Sequence, residues 1–149
     1  MQLSEQWVLV TGGARGLGQS ITRALAREGA GVVINYLHSD AAAQALAEEL
    51  GPRALALQAD VTDAAAVQRL FAQVRERTGQ PISAVVNNAL AQFRFDGDAR
   101  PQIGDITWQR FAQQLEGAVK GALNTTQAAL PAMREQGFGR IANVGTNLF

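Results

Sequence analysis

No cysteine occurs in the 149 residues, so disulfides, thiolate catalysis and cysteine-ligated metals are excluded. Histidine is nearly as scarce, with His38 alone, which makes metal catalysis improbable. There is no excess of either charge: thirteen basic and thirteen acidic residues cancel, and the basic ones are scattered. That leaves no electrostatic footprint for nucleic acid. No apolar run approaches the roughly 20 residues a membrane helix needs. Met1 to Val10 lack the basic start and small-residue cleavage site of a signal peptide, so the expected location is cytoplasmic. Small-molecule chemistry is the class left standing.

What is present is a 47% hydrophobic, 17% charged chain of a length that suits one domain, taken as residues 1–149. Short apolar runs rich in β-branched residues alternate with alanine-rich stretches of helical length. That alternation predicts repeated βαβ units, hence an α/β fold with a doubly wound parallel sheet in three layers. Strands are expected at Trp7–Thr11, Gly31–Tyr36, Ala54–Gln58, Ile82–Asn87 and Arg140–Gly145. Helices are expected at Leu17–Gly29, Ser39–Leu50, Asp63–Thr78 and Thr107–Gln136, with Gly29, Gly51, Gly79 and Gly137 at their ends. In the last helix Trp108, Phe111, Leu115, Val119, Leu123, Leu130 and Met133 keep to one broad face. Core packing against the sheet is the expected use of that face, and a partner subunit is the other. Pro131 should kink or shorten this helix. Residues 90–105 have no period and carry glycine, proline and charges, which predicts a long loop.

One segment carries chemistry. Thr11-Gly12-Gly13-Ala14-Arg15-Gly16-Leu17-Gly18 follows a hydrophobic strand and opens an amphipathic helix. Glycines there permit positive φ and close backbone approach, and the first amides of the helix face an anion with the helix dipole behind them. The same glycines would also make a plain strand-to-helix turn. No Gly-Lys-Ser/Thr follows, which disfavours a nucleoside triphosphatase. Further on stand Asp60-Val61 after the third strand, Asn87-Asn88-Ala89 after the fourth and Gly139 to Thr146 in the fifth.

With its Thr-Gly-x-x-x-Gly-x-Gly turn and these three segments in order, the chain resembles the short-chain dehydrogenase/reductase family, in particular its 3-oxoacyl reductases. The resemblance implies a Rossmann-type fold and an oxidoreductase that passes hydride from a nicotinamide dinucleotide to a ketone or 3-oxoacyl substrate. Gly12, Gly16, Leu17 and Gly18 would hold the pyrophosphate. Asp60 would accept a bond from the adenine amino group, with Val61 lining the ring; a plain loop carboxylate, with Thr62 or Asp63 capping the next helix, is the other reading of that position. Asn87, Asn88 and Ala89 would lie beside the adenosine ribose, unless the asparagines only satisfy nearby backbone groups. At the end of the second strand an acidic residue would select NAD. Asn35 and Tyr36 stand there instead, and Arg15 can meet a 2′-phosphate, with bonds from His38 and Ser39. The implied cofactor is therefore NADP, with NADPH preferred over NADH.

The catalytic set is incomplete. Thr146 matches the family's serine and keeps its hydroxyl. Ala118 stands where the family has an asparagine in the long helix, and Leu90 where Asn-Asn-Ala continues to glycine. Tyr36 is the sole tyrosine and Lys120 the sole lysine, so the family's Tyr-x-x-x-Lys pair does not occur before the chain ends at Phe149. The expectation is the amino-terminal, cofactor-binding part of a longer reductase, or a natural truncation after the fifth strand. It would turn over negligibly alone and would carry an exposed sheet edge. A non-catalytic dinucleotide-binding or interaction module is the alternative. The family's usual pairing makes a homo-oligomer through Thr107–Gln136 the expected assembly.

Overall fold

The computed structural model describes residues 1–90 and 102–145. Five parallel strands, β1 (Trp7–Val10), β2 (Gly31–Tyr36), β3 (Ala54–Gln58), β4 (Ala84–Asn87) and β5 (Arg140–Asn143), form one sheet in the order β3-β2-β1-β4-β5. This is a Rossmann-type α/β arrangement, with the strand order reversing between β1 and β4. β1, β4 and β5 are each shorter than their apolar runs. The ladder of β4 starts at Ala84 opposite Val8, and Ile82 packs in the core just before it.

Helices α1 (Gly16–Arg27), α2 (Asp40–Leu50) and α3 (Ala64–Thr78) connect the first four strands. Alternate side chains of each strand face opposite layers, as the pleat requires. Val8, Val32 and Ile34 pack with Ala43 and Leu46 on the α1–α2 side. Leu9, Val33 and Val85 pack with Leu70, Val74, Ala129 and Met133 on the other. β5 departs from the buried norm of parallel strands: all four of its residues are exposed, and β4 is its neighbour in the sheet.

The expected single helix over Thr107–Gln136 is in fact three pieces. An α-helix, α4 (Trp108–Leu115), runs into a π-helical turn at Glu116–Lys120 and continues as α5 (Gly121–Glu135). Pro131 does not end α5, which runs on to Glu135. The expected core role of the large apolar side chains fails over most of its length. Trp108 is 74% exposed, and Phe111, Leu115, Val119 and Leu123 are exposed too, while Met133 alone of that set is buried. The face turned to the sheet is made of Gly117, Gly121, Asn124, Thr125 and Ala129. The reason is proximity: a β-carbon on Gly121 would come within 2.8 Å of Val61 Cγ2, so only small residues fit there. Most of the expected loop at 90–105 lies outside the described residues; Ile103–Asp105 form one turn of 3₁₀ helix.

Candidate functional site

The carboxyl ends of the strands meet at a cleft of about 890 Å³, and the turn after β1 is its floor. Thr11, which follows β1, ties that turn to the segment after β4. Its hydroxyl oxygen accepts N–H bonds from Asn88 at 2.9 Å and Ala89 at 3.0 Å. The Asn88 side-chain amide returns a bond to the Thr11 carbonyl at 3.0 Å and reaches the Gly12 carbonyl at 3.4 Å. From the other side the Gly13 amide donates to the Asn35 carbonyl at 3.0 Å. Thr22, fully buried in α1, donates toward the carbonyls of Gly18 at 2.9 Å and Gly13 at 3.2 Å. The turn is thereby fixed by β2, β4 and α1 together.

Two glycines are required by this geometry. Gly12 has φ +63°, a conformation that costs a side-chain-bearing residue energy. Gly18 lies so close beneath it that a β-carbon would stand 2.2 Å from the Gly12 carbonyl oxygen. Arg15 precedes α1 in extended conformation and makes no side-chain capping bond, which leaves the first-turn amides of α1 uncapped from within.

Of the residues singled out from sequence, Gly12, Arg15, Gly16, Tyr36, His38, Ser39, Asp60, Val61, Asn88 and Ala89 line the cleft. Leu17 and Gly18 do not: Leu17 projects into solvent, and Gly18 packs under Gly12. Asn87 is also absent from the wall. Its side-chain oxygen Oδ1 accepts from the Thr125 hydroxyl at 2.6 Å, and its side-chain Nδ2 donates to Asn143 Oδ1 at 2.9 Å, so it bridges α5 to β5 behind the cleft. Thr146 lies outside the described residues. Gln113, Glu116 and Gly117 line the cleft without having been foreseen. They come from α4 and the π turn, and no local pattern marks a helix residue as reaching a site built by strands far away in the chain.

Asp60 accepts from Thr62 N at 2.8 Å and Thr62 Oγ1 at 2.7 Å, both on Oδ1, which sets its carboxylate at the end of β3. Capping falls to its neighbour: Asp63 accepts from the amides of Ala65 and Ala66 at the start of α3. Glu116 pairs with Lys120 at 2.9 Å one turn on, and this bond and the opposite charge push the lysine's pKa up. Tyr36 donates its hydroxyl to Asp40. That bond, then burial, raises the phenol's pKa above its ordinary value, with the bond from Gln44 opposing, so the hydroxyl stays a donor throughout the neutral range. The one tyrosine and the one lysine are both engaged away from each other.

Behind Leu90 a smaller recess of about 260 Å³ is lined by Thr11, Asn87, Ala118 and Asn143, among others. The methyl of Ala118 offers no hydrogen bond there. Taken together, the site can receive an elongated ligand whose anionic centre meets the start of α1, with a flat apolar group beside Val61 and polar groups at the ends of β2 and β4.

Residues 6–148 match the family model described as short chain dehydrogenase. A sorbitol dehydrogenase of Cereibacter sphaeroides is 39% identical over 147 residues, covering 98% of this chain and 54% of that protein. A 3-oxoacyl-[acyl-carrier-protein] reductase of Staphylococcus aureus is 34% identical over 142 residues, covering 93% and 54%. An acetoacetyl-CoA reductase of Paracoccus denitrificans is 34% identical over 139 residues, covering 93% and 53%. The chain therefore spans about half the length of the curated relatives it matches.

Proposed function

The chain belongs to the short-chain dehydrogenase family, and we propose that it forms the NADP-binding part of an oxidoreductase acting on a ketone or 3-oxoacyl thioester. The observation that carries this reading is the cleft itself, whose floor is a glycine turn closed to any β-carbon at Gly18. Such a cradle suits a pyrophosphate lying against backbone amides. In this reading Gly12 and Gly16 give the phosphates backbone access, with Leu17 at the start of α1 and Gly18 beneath. Asp60 holds the adenine amino group beside Val61, and Ala89 and Asn88 border the ribose. Arg15, with His38 and Ser39, meets the 2′-phosphate, since no acidic residue ends β2. The dinucleotide, when bound, supplies the hydride; Thr146 is the residue that would hold the carbonyl oxygen.

Titrating the chain with NADPH and with NADH, read by nicotinamide fluorescence, tests this. NADPH should bind saturably and more tightly, and Arg15→Ala should weaken NADPH about tenfold while changing NADH little, since an exposed Arg–phosphate pair contributes on the order of 1–2 kcal/mol. A titration without saturation for either cofactor sinks the reading.

A second reading, binding without turnover by these residues, is favoured by one set of observations. Tyr36 is bonded to Asp40, Lys120 to Glu116, and Ala118 faces the recess. Loss of general acid catalysis costs about 10²–10⁴ in rate. A chain that oxidises NADPH with acetoacetyl-CoA at an ordinary enzymatic rate would exclude it.

We also place a homo-oligomer contact on the outer face of α4 and α5. The Trp108 and Phe111 rings meet at a tilt, 5.8 Å between centroids, and with Leu115, Val119 and Leu123 they make an apolar strip facing solvent. Sedimentation should show a dimer that the triple substitution Phe111→Ser, Leu115→Ser, Val119→Ser converts to monomer. A wild-type chain that sediments as a monomer at micromolar concentration rejects this contact.

A further inference from the structure

Beside the corner of the cleft at the end of β2 stands a carboxylate that is kept out of it. Asp40 is the first residue of α2, directly after His38 and Ser39 of the cleft wall, yet it is not part of that wall. A carboxylate in the first turn of a helix is drawn to that helix's own amides and to the positive end of its dipole. Ser39, the residue before α2, makes no side-chain capping bond that would compete for those amides. Asp40 nonetheless turns toward the sheet. Its Oδ1 accepts the hydroxyl of Tyr36, and the Gln44 amide approaches the same oxygen at 3.5 Å. The Tyr36 ring is 7% exposed and packed in the α1–α2 core, so its hydroxyl is a fixed point rather than a mobile surface donor.

We propose that Tyr36 sets the cofactor preference indirectly, by holding the Asp40 carboxylate against β2 and so keeping negative charge away from the corner framed by Arg15, His38 and Ser39. The proposal rests on the NADP reading above. An acidic side chain at the end of β2 would repel a 2′-phosphate. This chain carries its carboxylate four residues later, at the mouth of the same corner, and the phenol restrains it. Tyr36 is then a positioning residue: the group it acts through is Asp40.

The test uses the full chain as wild type, Tyr36→Phe, Asp40→Asn and the double variant, each with dissociation constants for NADPH and NADH and a thermal melt. Tyr36→Phe keeps the buried ring and frees the carboxylate. It should lose about tenfold in NADPH affinity, the scale expected for one added charge near a phosphate in a half-exposed site, with NADH nearly unchanged. Asp40→Asn should bind NADPH at least as well as wild type. The double variant should recover what Tyr36→Phe loses. A merely structural tyrosine would weaken both cofactors alike, and removal of Asp40 would not rescue it. An unchanged NADPH-to-NADH ratio in Tyr36→Phe, a double variant no better than Tyr36→Phe, or weakened NADPH binding in Asp40→Asn overturns the proposal while leaving the functional reading intact. Weakened NADPH binding in Asp40→Asn overturns the proposal even where Tyr36→Phe melts too low to measure. A wild type that binds neither cofactor overturns the functional reading, and this proposal with it.

Discussion

Gly18→Ala should abolish measurable NADPH binding, a loss of at least about 100-fold, and lower stability by about 1–3 kcal/mol, the range for forcing atoms into a filled site. The added carbon would lie 2.2 Å from the Gly12 carbonyl oxygen and 2.7 Å from the Asn88 side-chain nitrogen. The amide of Asn88 could swing aside, but the carbonyl belongs to backbone. Gly12 holds positive φ and accepts from Asn88, and Gly18 accepts from buried Thr22, so neither partner moves freely. Either the turn or the start of α1 must shift, and both are parts of the proposed pyrophosphate cradle. Gly16→Ala is the informative contrast. A β-carbon there meets nothing within 4 Å, so only its φ of +52° is strained. Fluorescence titration and a thermal melt check both variants; a Gly18→Ala chain that binds NADPH within about threefold of wild type would refute the cradle.

Thr11→Val should cost about 2–4 kcal/mol, because two part-buried amides lose their acceptor while shape is kept. Thr11 is 2% exposed, and its hydroxyl is the acceptor for both Asn88 N and Ala89 N. For a domain of this size the melting temperature should fall by roughly 8–15 °C. Thr11→Ser keeps the oxygen and should recover most of the loss. Should the valine variant melt within about 2 °C of wild type, water has replaced the hydroxyl and the tie between the two loops is weaker than its geometry implies. Binding should suffer in parallel, since the same tie aligns the glycine turn with the wall formed by Asn88 and Ala89.

The strands were legible because parallel strands buried on both faces are built mainly of apolar residues, and Trp7–Val10 and the start of β2, residues 31–34, read that way. The glycine turn was legible for a similar reason, since a constraint on backbone writes itself directly into residue type. Helix α4–α5 misled. Large apolar side chains at helical spacing announce a face, but they do not say which side of the helix the sheet lies on. The face that approaches β4 and α3 closely had to be small, and glycine, alanine and threonine look unremarkable in a sequence. Asn87 was recognisable as part of a motif, yet its partners Thr125 and Asn143 lie 38 and 56 residues away, so its bridging use could not be read locally. The same distance hid Glu116 and Gln113. Asp63 as the cap of α3 was one of two options at that position, and only the side-chain geometry chose between it and Thr62.

The π-helical turn at Glu116–Lys120 gives the long helix an adjustable phase. A wide turn holds one residue more than an α-turn, and each residue in an α-helix advances the side chains by about 100°. Excision of a single residue there would let the backbone close as continuous α-helix and swing α4 by about that angle around its axis relative to α5. Gly121 to Met133 would keep their seat on the sheet, while Trp108 and Phe111 would point elsewhere and Gln113 and Glu116 would leave the cleft wall. The extra residue thus indexes α4 to α5: it lines Trp108 and Phe111 up with Leu123 of α5 while Gln113 and Glu116 reach the cleft, and a length change of one residue would forfeit both alignments at once.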